Sequence, residues 1–259
     1  MKEIMIESYA KINLSLDVTG KRADGYHEVD MMMQQLSFHD DVTIKYEPVC
    51  DIDKNKTSIE IATTVRYLPT DERNIAYKAA ALIVEYYQEK FPIGKISIDI
   101  KKRIPVAAGL AGGSGNAAAV LHGLNQVLGL RLSLKKLCEL SIELGSDIAF
   151  CLMGQAKKSS ALRGTLVARD KYATSAARAR GTGTDLQPIN SIYSFVVFAK
   201  PNFGVSTKEV YKGIDACNII KRPDNDKMQK ALKEKNNAVV FEEMINVLEL
   251  YTLEHYLDY

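Results

Sequence analysis

The sequence predicts an α+β protein, on three observations. Strand and helix signals are mixed along the chain without the regular repeat of a doubly wound sheet. One strand runs through a glycine-rich loop straight into a helix. Of the 259 residues, 46% are hydrophobic and 25% charged, which is ample for the core of one large domain or two modest ones.

The elements follow in order. Residues 4–9 and 12–19 are short β-type runs around the polar pair Lys11 and Asn13. Residues 42–47 alternate apolar and polar, the period of a half-buried strand. Residues 74–88 are rich in helix formers, with Asn74 as N-cap. In KISIDIKK, Ile96, Ile98 and Ile100 share one face of a strand that leads to the glycines. Beyond them Ala117, Val120, Leu121, Leu124 and Leu128 recur at helical spacing, and Gly129 offers a stop. A helix over 133–144 has Ser133 as its cap. The pattern breaks beyond Gly154 and resumes with a strand at 192–199, then helices at 207–214, 225–235 and 238–257.

Composition excludes several classes. Lys plus Arg is 34 against 32 for Asp plus Glu, so the net charge of +2 argues no general nucleic-acid role. No apolar run reaches the roughly 18 residues of a membrane span, and the N-terminus reads as neither signal nor transit peptide. Cys50, Cys138, Cys151 and Cys217 lie far apart without paired metal spacing, as reduced structural thiols would. A cytoplasmic protein is expected.

Strand, glycine-rich loop and helix together present backbone N–H groups to an anion. Gly109, Gly112, Gly113 and Gly115 permit close approach and positive φ, and the helix start adds its dipole. A triphosphate is the natural guest; a tight structural connection is the plain alternative. The spacing matches neither the Walker pattern nor the dinucleotide fingerprint.

Three other places hold polar residues in apolar company. Lys11 and Asn13 point to one side of a strand, where a lysine is either a solvated edge residue or a cation stabilising negative charge. Asp147, after Gly145 and Ser146, is either a helix N-cap or a general base at a helix start. Asp24-Gly25 signals a turn, and Tyr26 and His27 after it read as a packed hairpin or as recognition of a planar base. Met31, Met32 and Met33 read as core filling.

AKINLSLDVTGKRADGYHEV, IPVAAGLAGGSGNAAAVL, ELGSDIAFCLMG and KPNFGVSTKEVY, in this order, resemble the GHMP kinase superfamily, which includes galactokinase, homoserine kinase and mevalonate kinase. The KINL segment with DGYH narrows the likeness to its branch acting on a cytidine diphosphate substrate. The resemblance implies a ribosomal-protein-S5-like N-terminal domain over 1–154 that binds nucleotide, and a ferredoxin-like C-terminal domain over 181–259. It implies ATP-dependent phosphorylation of the 2-hydroxyl of 4-diphosphocytidyl-2-C-methyl-D-erythritol, a step of the non-mevalonate route to isoprenoid precursors. Lys11 and Asp147 match the catalytic pair, with Asp147 the base and Lys11 orienting it. The run Pro105, Val106, Ala107, Ala108, Gly109, Leu110, Ala111, Gly112, Gly113, Ser114 and Gly115 matches the ATP phosphate loop. Asn13 matches a position near the transferred phosphate. Tyr26 and Tyr211 match an aromatic pair around the cytosine ring, His27 its edge reader, and Thr207 the same substrate side. Mg²⁺ is expected with ATP; no carboxylate cluster is dedicated to it, and Ser114 is a weak ligand.

Two departures stand out. Residues 155–180 read as a basic insertion or loop, with a single acid at Asp170 between 156 and 180. It reads as a surface loop, as an added element gathering anionic substrate, or as a foreign segment. The family's closing glycine-rich motif has no counterpart, since no glycine follows Gly213. The C-terminal domain is therefore expected to be incomplete, with an unpaired sheet edge and exposed apolar surface. Two other readings follow: a non-catalytic nucleotide-binding relative, and a GHMP kinase for another alcohol such as mevalonate or homoserine.

Overall fold

The structure is a computed structural model that describes residues 1–49, 56–200 and 204–256. Cys50 and the Pro201-Asn202-Phe203 part of the fourth motif lie outside the described residues. The chain is mixed α+β and divides into two compact units. The first comprises Met1–Lys11, Gln35–Val106 and Leu110–Ser175; the second comprises Ile12–Gln34, Ala107–Gly109 and Ala176–Tyr259. In sequence the units interleave, rather than following the division into 1–154, 155–180 and 181–259.

Two strands are longer than predicted. The two runs expected at 4–9 and 12–19 are one strand, β1 (Lys2–Lys21), whose middle is buried on both faces: Ser8, Tyr9, Ala10 and Lys11 are all buried, as are the residues from Leu14 to Val18. β2 (His27–Pro48) pairs with β1 and extends well beyond the predicted 42–47.

In the first unit β2 pairs antiparallel with β4 (Gly94–Lys101), and β3 (Ser58–Thr63) pairs parallel with β4. The period of two puts Val42, Ile44, Ile96, Ile98 and Ile100 into the core. Helices α1 (Ile75–Tyr87), α2 (Gly112–Val127), α3 (Leu134–Ser141) and α4 (Ser146–Lys158) complete the unit. Asn74 and Ser133 cap as expected, accepting from the N–H of Ala76 (2.9 Å) and Lys136 (3.2 Å). The backbone of α2 comes so close to β2 that a Cβ on Gly123 would lie 2.5 Å from Ile44 Cδ1. Cys138 and Cys151 are free thiols, both pushed up by burial, Cys138 to about 12.

Residues 155–180 are not a loose loop throughout. Gln155–Lys158 finish α4, two 3-10 turns follow, and Ala176–Gly181 is strand β5. Buried Leu162 and Val167 anchor the turns, and Ser160 Oγ donates to Glu7 Oε1 (2.9 Å).

His122 lies on α2 and faces α4, fully buried, its Nε2 at 2.9 Å from the Leu152 carbonyl. Burial pushes its pKa down to about 4 from 6.5. On acidification the unfolded chain takes up this proton first. The stabilisation present above pH 6.5 is therefore lost as pH falls toward 4, about 3 kcal/mol in all. Urea unfolding at pH 7 and pH 4.5 should show that His122→Asn loses less stability across this interval than the parent chain. An equal loss in both would refute the assignment.

In the second unit β2 pairs antiparallel with β5 through Val29–Gln34, and β5 with β6 (Asp185–Pro188). Helices α5 (Thr207–Gly213), α6 (Asn225–Glu234), α7 (Asn237–Glu242) and α8 (Leu248–Tyr256) follow. Leu14, Met32, Ile192, Met228, Leu232 and Val240 form the core. Met31 and Met33 are buried too, as core filling requires. The single helix expected over 238–257 is broken, because Asn246 forms a parallel bridge to Leu16 and the N–H of Val247 donates to the Leu16 carbonyl (2.9 Å). The strand expected at 192–199 is not formed. No regular structure is assigned over this segment, and Tyr193, Phe195 and Val197 are almost wholly exposed. No helix among the described residues is long and apolar enough to cross a membrane.

Candidate active site

The part of β1 that belongs to the first unit runs to Lys11, whose N–H donates to the carbonyl of Leu110 (3.1 Å) and so ties the strand to the glycine-rich loop. Lys11 is only 5% exposed, which removes the reading as a solvated edge residue. Its Nζ lies 3.4 Å from Asp147 Oδ2. Asp147 is not the N-cap of α4. Gly145 holds that position, and Asp147 is the second helical residue, where the helix dipole favours a carboxylate. With a third of its side chain exposed, Asp147 is reachable from solvent while its cation is held in the interior. This pair can orient and deprotonate a hydroxyl.

The loop is shaped differently from the expectation. Of the four glycines, Gly109 has positive φ (70°), whereas Gly112, Gly113 and Gly115 lie in the first turn of α2. Left-handed backbone falls instead on Ala107 and Ala111, each with φ 53°. Gly115 is needed for close approach, since a Cβ there would stand 2.6 Å from Ser8 Oγ. Ala111, the N-cap of α2, provides no side-chain hydrogen bond to the N–H groups of the first turn. Those donors suit an anion.

Asp40 stands beneath this loop, and residue patterns alone did not point to it. It is fully buried. Its Oδ1 accepts from the N–H of Arg103 (2.6 Å) and Ile104 (2.8 Å), its Oδ2 from Lys102 Nζ (2.5 Å) and Asn116 Nδ2 (2.9 Å). Asn116 Nδ2 also donates to Ser8 Oγ (3.0 Å). One carboxylate thus joins the end of β4, the entry to the loop and the first turns of α2. In a KKR run Lys102 reads as part of a solvated face; only its burial reveals the role.

The second unit holds the remaining predicted residues. Asn13 is half-buried on β1, two residues beyond Lys11 on the same strand. Asp24 and Gly25 (φ 85°) make the turn between β1 and β2, closed by the N–H of Arg22 donating to the Tyr26 carbonyl (2.8 Å). Tyr26 is 68% exposed, so the packed-hairpin reading fails for it. His27 is buried, its ring centroid 5.4 Å from that of Tyr211 on α5 at an interplanar angle of 34°. Thr207 is the exposed first residue of α5. His27 and Tyr211 are therefore neighbours, and Tyr26 projects from the adjoining turn. Among the described residues no three His, Cys, Asp or Glu side chains converge where a metal ion could be held.

Comparison with known proteins gives three concordant findings. A family model for the N-terminal domain of GHMP kinases matches residues 74–155. The 4-diphosphocytidyl-2-C-methyl-D-erythritol kinases of Alkaliphilus metalliredigens (strain QYMF) and Clostridioides difficile (strain 630) are 43% and 42% identical to this chain. The matches cover 97% and 98% of this chain, and 77% and 76% of those relatives. A crystal structure of 4-(cytidine 5'-diphospho)-2C-methyl-D-erythritol kinase superposes with a TM-score of 0.67 at 26% identity, covering 98% of this chain and 79% of the other.

Proposed function

The chain belongs to the 4-diphosphocytidyl-2-C-methyl-D-erythritol kinase family of the GHMP kinases, and from that premise we propose that it transfers the γ-phosphoryl group of ATP to the 2-hydroxyl of 4-diphosphocytidyl-2-C-methyl-D-erythritol. The reaction would serve the non-mevalonate route to isoprenoid precursors, in the cytoplasm. The observation that carries the reading is the buried Lys11 paired with a reachable Asp147 in the unit that also holds the start of α2.

Each residue then has a task. Asp147 takes the proton of the attacking hydroxyl, and Lys11 orients Asp147 and offsets charge on the oxygen. The N–H groups at the start of α2 and the loop over Pro105–Gly115 receive the phosphates. Asn13 lies near the transferred phosphate; Tyr26 and Tyr211 take the faces of the cytosine ring, His27 its edge, and Thr207 the same substrate. Mg²⁺ would take most of its ligands from the phosphates and water, with the Ser114 hydroxyl as the protein donor, and would supply neutralisation of phosphate charge. The first unit is then the nucleotide side and the second the substrate side.

A second reading, nucleotide binding without turnover, draws on the unformed strand at 192–199 and its exposed aromatic residues. The reading as a mevalonate or homoserine kinase draws on none, since those substrates carry no base for His27 and Tyr211. A coupled ADP-release assay decides. Turnover is expected with the diphosphocytidyl substrate and not with mevalonate or homoserine. Binding of ATP with no ADP release from any of them would establish the second reading.

A further inference from the structure

Asp215 sits in the 3-10 turn Ile214–Ala216 that follows α5, and no motif marks it. Its two carboxylate oxygens are divided between two partners. Oδ1 is 2.7 Å from His27 Nε2, and Oδ2 accepts from Lys21 Nζ at 2.5 Å. The turn is held in place by close packing behind it. A Cβ on Gly213 would stand 2.0 Å from the ring of Tyr251 on α8, and Tyr256 of the same helix donates to Glu209 of α5 (2.9 Å). Asp215, His27, Lys21 and Tyr211 all belong to the second unit.

We propose that Asp215 is a positioning residue for base selection, holding His27 in the tautomer that prefers a cytosine-type edge over a uracil-type edge. The proposal rests on the reading that His27 meets the base. A carboxylate only accepts hydrogen bonds, so Nε2 must carry the proton that Asp215 receives. In the neutral ring Nδ1 is then the lone-pair nitrogen. A lone pair suits the exocyclic amine of cytosine, a donor, and repels the corresponding carbonyl of uracil, an acceptor. The Asp215 carboxyl is held below its usual range by the hydrogen bonds from Lys21 and His27, so it remains the acceptor that this logic needs.

Lys21 makes the proposal sharp. An ammonium has donors only, so in Asp215→Asn it would keep the amide oxygen and turn the amide N–H₂ toward His27. Nε2 must then accept, the proton moves to Nδ1, and the edge becomes a donor suited to uracil. An isosteric change distant from the base would thus reverse what the imidazole offers it.

The test uses the full chain with CDP and UDP as probes, by calorimetry, together with nitrogen NMR of the His27 ring. The parent should bind CDP in preference and show the Nε2–H tautomer. Asp215→Asn should show the Nδ1–H tautomer, and its CDP-to-UDP preference should fall about tenfold or more. A parent ring protonated on Nδ1 alone, a spectrum that depends on no variant, overturns the proposal. His27→Ala separates the two levels. Should it retain the parent's affinity and preference, His27 does not meet the base and the underlying reading fails. Should it lose the preference while Asp215→Asn keeps it, the base reading stands and the role of Asp215 is refuted.

Discussion

Asp147→Asn should lower kcat by about a thousandfold while leaving ATP affinity within about twofold of the parent. The substitution keeps shape and the capacity to hydrogen-bond but removes the carboxylate that, in the proposed mechanism, takes the proton of the attacking hydroxyl. Two features make the effect specific. Asp147 is reachable from solvent, whereas its partner Lys11, 3.4 Å away, is buried, so the substitution falls on the exposed member of the pair. The N–H groups at the start of α2, proposed to receive the phosphates, belong to another helix, so nucleotide binding should persist. Single-turnover phosphoryl transfer beside an ATP-binding titration measures both. Undiminished transfer in the variant would remove Asp147 from the chemistry, and loss of ATP binding would make it a binding residue.

Asp40→Ala should produce the largest loss of stability. It deprives Lys102 of its anion in the interior and leaves the N–H groups of Arg103 and Ile104 without their acceptor. Breaking a buried pair from one side typically costs about 3–5 kcal/mol, a large part of the stability of an ordinary domain. The double change Asp40→Leu with Lys102→Met should be milder than Asp40→Ala, because it leaves no stranded charge. Denaturant unfolding of the three variants makes the comparison. A double variant as unstable as the single one would show that packing, not charge, dominates at this position.

What could be read from residue patterns was local. The caps Asn74 and Ser133 act within three residues, and the isoleucines of β4 share a face because strand geometry makes them. Features that depend on distant partners were illegible. IYSFVVFA has every intrinsic mark of a strand, yet pairing is decided elsewhere in the chain. The break between α7 and α8 carries no glycine or proline, and it arises from a bridge to Leu16. Lys11 and Asp147 could be singled out as residues, but their approach across 136 positions could not, and Asp215 has meaning only beside His27, 188 positions earlier. Lys102 stands in a charged run, and the burial of its side chain is a property of the fold.

The two alanines with left-handed backbone have a thermodynamic consequence for the loop. Holding an alanine at φ 53° costs roughly 1–2 kcal/mol where glycine would cost little. The same side chain also narrows the range of shapes the segment can explore before any ligand arrives. In the proposed reading, less disorder then remains to be removed when a triphosphate binds, so less of the binding free energy is spent on ordering the loop. Ala107 and Ala111 make it a mould set in advance by the chain around it, not a clamp that closes on its guest.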